Sequence, residues 1–312
     1  MLKIKKIIYI LLSLLATFEL FSLDLIKEVD NNSSYSSKDY SFNVGENREY
    51  VLISTPNSKA PENGFPVIIM LHGHIPIEKY STVNSYKTVF SNYAKSEFMV
   101  VKPDLRGHDR SDKGENYNSR ITQVYFKQDV LALVKELKSE LNIDERNIFL
   151  MGHSNGGSTS LRLLVDHSDI FNSALLWAPV SVSMEEHGFF YKDDGLLDYG
   201  LNALEVPEAK VGIEEAREKI IDALKIEGLT IDNVRYLDKL DNISVPLLIK
   251  HADSDQEVPY YWSEQLVERF KASGNRGYIE LSNYPGDNHN LSNNWPRLFQ
   301  EDLQWFRNRL KK

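Results

Sequence analysis

Cysteine is absent from the 312 residues. That excludes disulfides, a thiol nucleophile, thiolate-bound metal and the lipidated cysteine of a lipoprotein. It leaves the redox compartment open. Basic residues are in deficit, 36 against 45 acidic, for a formal net charge of −9. There is no basic stripe of the kind that tracks a phosphate backbone, so no nucleic-acid partner is expected, and the acidity is read as serving solubility. Long apolar runs are missing as well. The N-terminal run from Ile7 to Phe18 stops after 12 residues at Glu19, which is short for a membrane span. Behind Lys3, Lys5 and Lys6 it reads as the apolar core of a secretory signal over residues 1–22, with Leu20-Phe21-Ser22 as a poor cleavage site; an uncleaved anchor is the alternative. The expectation is a secreted or periplasmic protein that meets a membrane only through this signal or anchor. Cleavage would leave 33 basic and 44 acidic residues, a charge of −11. Internal repeats and low-complexity tracts are also absent.

The 312 residues, 42% hydrophobic and 11% aromatic, suffice for a full core, and residues 23–312 are expected to form one large domain. A polar lead-in, Leu23 to Lys38, is expected to be mobile. Tyr40–Val44 and Glu49–Thr55 form a hairpin around Gly45. Strands then alternate with helices. Strands are predicted at 67–71, 98–102, 147–151, 173–178, 246–250 and 277–281, and helices near 82–96, 119–141 and 296–310. Sequential βα units imply an α/β fold, a mostly parallel central sheet with helices on both faces. One stretch breaks the alternation: about 182–243 is acidic and helix-like, with a helix at 213–224, and reads as a helical cap insertion. Within it Phe189-Phe190-Tyr191 is read as cap packing rather than pocket lining, and Glu185 and Glu186 as a solvated pair rather than a substrate-amine site.

The chemistry is concentrated at Gly152-His153-Ser154-Asn155-Gly156. This is G-x-S-x-G between a predicted strand and a predicted helix, the context a nucleophile elbow needs. The glycines are there because side chains beside the strained serine would collide. Two later strands end in loops with an acid and a base. One holds Asp253 and Asp255; the other holds Asp287 and His289. Serine, then acid, then histidine is the order of α/β-hydrolases and not of other serine hydrolase folds.

From about Tyr40 to Leu310 the chain resembles the α/β-hydrolase superfamily, in its prolyl-oligopeptidase-like and dienelactone-hydrolase-like branch. The residues that carry the resemblance are Gly152–Gly156, the segment Asp104-Leu-Arg-Gly-His-Asp-Arg-Ser111, and His251-Ala-Asp-Ser-Asp255-Gln-Glu-Val-Pro259. It departs from the pattern at Ala252 and Asp109, where the family has glycine. The resemblance implies that Ser154 is the nucleophile, His289 the base and Asp255, ahead of Asp253, the acid. It implies an oxyanion hole made by the backbone N–H groups of Asn155 and His74, the latter following the His72-Gly73 pair. Asp104 and Arg106 are implied to be structural. No cofactor and no metal are implied; His72 and His74 on a glycine turn lack a carboxylate at ligand spacing. His153 is expected to pack into the sheet, and Tyr260-Tyr261-Trp262 to open a helix beside the acid loop.

The expected activity is cleavage of a small-molecule ester or small amide through an acyl-enzyme. A peptidase of the prolyl-oligopeptidase type is the alternative. That family's large propeller has no room in 312 residues, which leans toward an esterase or an unhindered aminopeptidase. A non-catalytic binding protein on a hydrolase scaffold is the reading from another class.

Overall fold

In the computed structural model residues 22–114, 122–182, 218, 221–226 and 228–312 are described. Almost all of the expected signal, and the greater part of the expected cap with Glu185, Glu186 and Phe189–Tyr191, lie outside them. Among the described residues no helix is long and apolar enough to cross a membrane.

Among the described residues nine strands form one sheet: β1 (Asp24–Asn31), β2 (Tyr35–Val44), β3 (Asn47–Pro56), β4 (Phe65–Leu71), β5 (Met99–Pro103), β6 (Ile143–His153), β7 (Ser173–Trp177), β8 (Leu247–His251) and β9 (Ile279–Asn283). Their spatial order is β1-β2-β3-β5-β4-β6-β7-β8-β9. The first three pair antiparallel, and β3 meets β5 antiparallel. From β5 through β9 every pairing is parallel. The central strand β4 is apolar at every position because both its faces are covered, and it is buried throughout.

Alternation along each strand sends neighbouring side chains to opposite faces. Val67, Ile69, Leu150, Leu176 and Ile249 enter one core cluster. Ile68, Met70, Phe149, Leu175 and Leu248 enter the other. The first face is covered by α2 (Thr122–Glu140), α3 (Asn155–His167) and α4 (Tyr260–Ala272), through Leu133, Leu164 and Phe270. The second is covered by α1 (Lys87–Ala94) and α5 (Trp295–Arg307), through Phe90 and Phe306. Each fully buried Leu, Ile or Phe contributes about 1.5–3 kcal/mol. The expected strands all appear, and so do the helices expected near 82–96, 119–141 and 296–310, with ends shifted by a few residues. Most of the helix expected at 213–224 lies outside the described residues; 221–226 are helical.

The lead-in departs from expectation. Asp24–Asn31 is an edge strand paired with β2 rather than a free tail, and β2 begins at Tyr35. The inward positions of β2 include Ser37, Asp39 and Ser41, all buried, so no apolar alternation betrays the strand. Asp39 is instead matched by Arg110 Nη2 at 2.6 Å. β1 is exposed along almost its whole length and is held by its backbone ladder.

The Asp104–Ser111 loop is a brace, as expected. Asp104 accepts a hydrogen bond from the Tyr80 hydroxyl, at 3.0 Å, and shares the single hydroxyl hydrogen of Thr82 with Asp109. Arg106 reaches Asp129 through Nη2 at 2.5 Å and Nε at 3.2 Å. Asp109 adopts the left-handed φ of 48° that glycine takes more easily. Its carboxylate accepts from the Thr82 N–H at 2.9 Å and hydroxyl at 2.7 Å, a bond glycine lacks.

Beside Arg106 lies Glu49, 2% exposed, its nearest Arg106 contact at 3.9 Å. Burial, reinforced by Asp129, raises its pKa from 4.5 to about 9. A folded-state pKa above the unfolded value means the stability from this group is complete below 4.5 and is lost as pH rises toward 9. Glu49→Gln, a neutral isostere, is therefore expected to flatten the fall in melting temperature between pH 5 and 9. A thermal unfolding series across that range checks it.

Candidate active site

The four loops implied to carry the chemistry follow β4, β6, β8 and β9, parallel strands of one sheet, and so leave it at the same end. The elbow is tight. Ser154 sits at φ 56°, ψ −120° between β6 and α3, a conformation that costs a non-glycine residue about 1–3 kcal/mol. Its N–H donates to the Trp177 carbonyl at 2.9 Å, and its own carbonyl accepts from Ser158 and Val180, each at 3.2 Å. The flanking glycines are steric requirements. A β-carbon at Gly156 would lie 2.1 Å from the Leu71 carbonyl oxygen, and one at Gly152 would lie 2.5 Å from that of Gly156.

His289 Nδ1 donates to Asp255 Oδ2 at 2.7 Å. The same oxygen accepts from His251 Nε2 at 3.1 Å, and Oδ1 accepts from the N–H groups of Glu257, at 2.8 Å, and Val258, at 3.0 Å. Burial alone would raise the Asp255 pKa. The bonds from His251 and His289 outweigh it and hold the carboxyl well below the usual range. The other two acids are used elsewhere. Asp253 accepts from the Gly286 N–H at 2.9 Å, tying the acid loop to the base loop. Asp287 accepts from the Asn288 and Asn293 N–H groups and the Asn294 amide, closing its own turn.

Ser154 and His289 are both buried, at 7% and 6% exposure. Among the described residues no hydrogen bond joins the Ser154 hydroxyl to the His289 ring. Without substrate such bonds are often long and tighten only when substrate is bound. The two loops touch one residue away: His153 Nε2 donates to the His289 carbonyl at 3.1 Å, and the two rings lie 4.6 Å apart.

The loop after β4 approaches from the other side. A β-carbon at Gly73 would lie 2.9 Å from that of Ser154. The Gly73 N–H is taken by the Tyr86 hydroxyl at 2.7 Å, so His74 offers the next donor along. Asn155 N–H stands at the N-terminus of α3, the positive end of the helix dipole. His72 is buried, its Nδ1 donating to the Gly73 carbonyl at 2.8 Å. Among the described residues no three His, Cys, Asp or Glu side chains converge as metal ligands. Tyr260–Trp262 does open α4, and Trp262 packs with Val180 and Val258 beside the elbow and the acid loop.

Three residues escaped the sequence reading. His251 is the second donor on Asp255; it stands in the motif but carried no assigned role. Tyr86 left no signal. His153 is buried as expected, but it also bonds to two loops.

Against known proteins, the prolyl oligopeptidase family model matches residues 84–312. A curated relative, the uncharacterised peptidase YuxL of Bacillus subtilis, is 23% identical over 294 residues, covering 88% of this chain and 40% of its own. Among solved structures, a putative dipeptidyl aminopeptidase IV from Bacteroides ovatus superposes with a TM-score of 0.68 at 20% identity, covering 90% of this chain and 37% of its own. Est1E of Butyrivibrio proteoclasticus, solved with ferulic acid, gives 0.62 at 18% identity, covering 87% of this chain and 99% of its own. The chain thus spans about two fifths of the peptidases it matches. With the α/β-hydrolase sheet and the elbow in place, and most of its length matched, the chain belongs to the prolyl oligopeptidase family of serine hydrolases.

Proposed function

We propose that the protein hydrolyses carboxylic esters, and small amides more slowly, through Ser154, His289 and Asp255. The observation that carries this reading is the 2.7 Å bond from His289 Nδ1 to Asp255 at the mouth of the elbow. It fixes the tautomer that leaves Nε2 as a base. A serine hydroxyl is too weak an acid to react unaided, so His289 takes its proton as Ser154 attacks the carbonyl. The imidazolium that forms is stabilised by the Asp255 carboxylate. The oxyanion is met by the Asn155 and His74 N–H groups, each worth about 3–4 kcal/mol of barrier. His289 then protonates the leaving group, the acyl-enzyme forms, and water reverses the sequence.

The ester reading draws support from Est1E, whose whole length this chain matches. A peptidase is the second reading, favoured by the family and by the Bacteroides neighbour. We also propose that the apolar N-terminus directs export. Parallel assays on p-nitrophenyl acyl esters and aminoacyl p-nitroanilides test the choice. On the ester reading, kcat/KM on the best ester exceeds that on the best anilide by about 100-fold or more, since amides need stronger leaving-group catalysis. Turnover of anilides at or above the ester rate assigns the protein to the peptidases.

A further inference from the structure

Two side chains outside Ser154, His289 and Asp255 form a hydrogen-bonded chain through the floor of the site, and chemistry sets its direction. The His289 carbonyl can only accept, so the His153 Nε2 lying 3.1 Å away carries a hydrogen and donates it. Burial pushes the His153 imidazole down to about 3, with the His289 ring adding to the effect. The ring is therefore neutral and its Nδ1 is a bare acceptor. The Tyr86 hydroxyl, 2.5 Å from Nδ1, must donate to it. The oxygen of that hydroxyl in turn accepts from the Gly73 N–H at 2.7 Å.

Each member sits on a different segment. Gly73 belongs to the loop after β4, Tyr86 immediately precedes α1, His153 ends β6 beside Ser154, and His289 belongs to the loop after β9. They meet in the space left by a missing side chain. A β-carbon at Gly73 would lie 2.6 Å from the Tyr86 hydroxyl, 2.9 Å from the Ser154 β-carbon and 3.1 Å from His153 Nδ1. Tyr86 holds its place at a left-handed φ of 60°, unusual for an aromatic residue. The bond to Tyr86 also removes the Gly73 N–H as an oxyanion donor and leaves that part to His74.

We propose that Tyr86 and His153 are positioning residues, whose hydrogen-bonded chain sets the spacing between the Gly73–His74 loop, the nucleophile elbow and the loop that carries the base. This rests on Ser154 being the nucleophile. Acyl transfer needs groups from all three segments in register, and a 1 Å error costs on the order of 100-fold in rate.

The test is a double-mutant cycle on the full chain with Tyr86→Phe, His153→Phe and both, read by p-nitrophenyl acetate kinetics and by the rate of fluorophosphonate labelling. Each single variant is expected to lose about 10- to 100-fold in kcat and in labelling rate, with KM moving less than about 3-fold. The double variant should be no slower than the slower single one, because one chain is broken in each case. His153→Gln, whose amide can still donate to the His289 carbonyl, should recover part of the loss of His153→Phe. Wild-type labelling rates in Tyr86→Phe, or losses that multiply in the double variant, overturn the proposal. If Tyr86→Phe does not fold, the comparison of His153→Gln with His153→Phe decides, and equal losses overturn it. A wild-type protein that takes no label at Ser154 overturns the nucleophile assignment itself, a result distinct from these.

Discussion

Replacing Ser154 with alanine is expected to lower turnover of p-nitrophenyl acetate by about 10⁴- to 10⁶-fold while the protein stays folded. The loss is large because every later step depends on the bond this hydroxyl forms. What survives would come from binding and the Asn155 and His74 amides. The fold should hold because the elbow is anchored by its backbone, through Trp177, Ser158 and Val180. A sharper signature accompanies the loss. Ser154 holds φ 56°, a strain that glycine relieves, so Ser154→Gly is expected to melt higher than the wild type by about 1 kcal/mol of added stability. An inactive variant that is more stable than its parent marks strain kept for function. Kinetics and thermal unfolding on the two variants together check both parts.

Asp255→Asn is expected to reduce kcat by about 10³- to 10⁴-fold. The carboxylate now receives four hydrogen bonds and gives none: two from imidazoles and two from backbone. An amide keeps one acceptor oxygen. If that oxygen stays with the Glu257 and Val258 N–H groups, the amide hydrogens face His289 Nδ1. The ring must then switch tautomer, and the Nε2 that should take the serine proton already holds one. The same change has a pH signature. The folded-state pKa of Asp255 is depressed, so its contribution to stability is present above the unfolded value, near 3.9, and fades as pH falls below it. Asp255→Asn should be less stable than wild type at pH 7, and the gap should narrow in acid. A gap that stays constant down to pH 2 contradicts this account of the depressed pKa.

What could be read from the residues differs from place to place for physical reasons. The parallel strands were legible because strands buried on both faces read as largely apolar runs, unbroken in Phe65–Leu71. The elbow was legible because collisions at Gly152 and Gly156 restrict those positions to glycine whatever the rest of the sequence does. β1 and the start of β2 were not legible. Their stability lies in backbone pairing and in the Asp39–Arg110 bond across 71 residues, and neither leaves a periodic trace. Choosing Asp255 over Asp253 needed the family pattern. Two residues apart in one loop, they differ only in where the turn aims them: one at His289, the other at the Gly286 N–H. Tyr86 stands far along the chain from His153 and finds it only through the left-handed turn at its own backbone. Nothing at residue 86 alone announces such a turn, because aromatic residues avoid it.

The proposed activity depends on a serine made reactive by a histidine. The direct measurement is to treat the protein with a fluorophosphonate and locate the adduct by mass spectrometry, in wild type and in His289→Ala. A single adduct per chain is expected, on Ser154, forming at least about 100-fold more slowly when the imidazole is gone. No adduct, an adduct on another residue, or equal labelling of Ser154 in both proteins would contradict it.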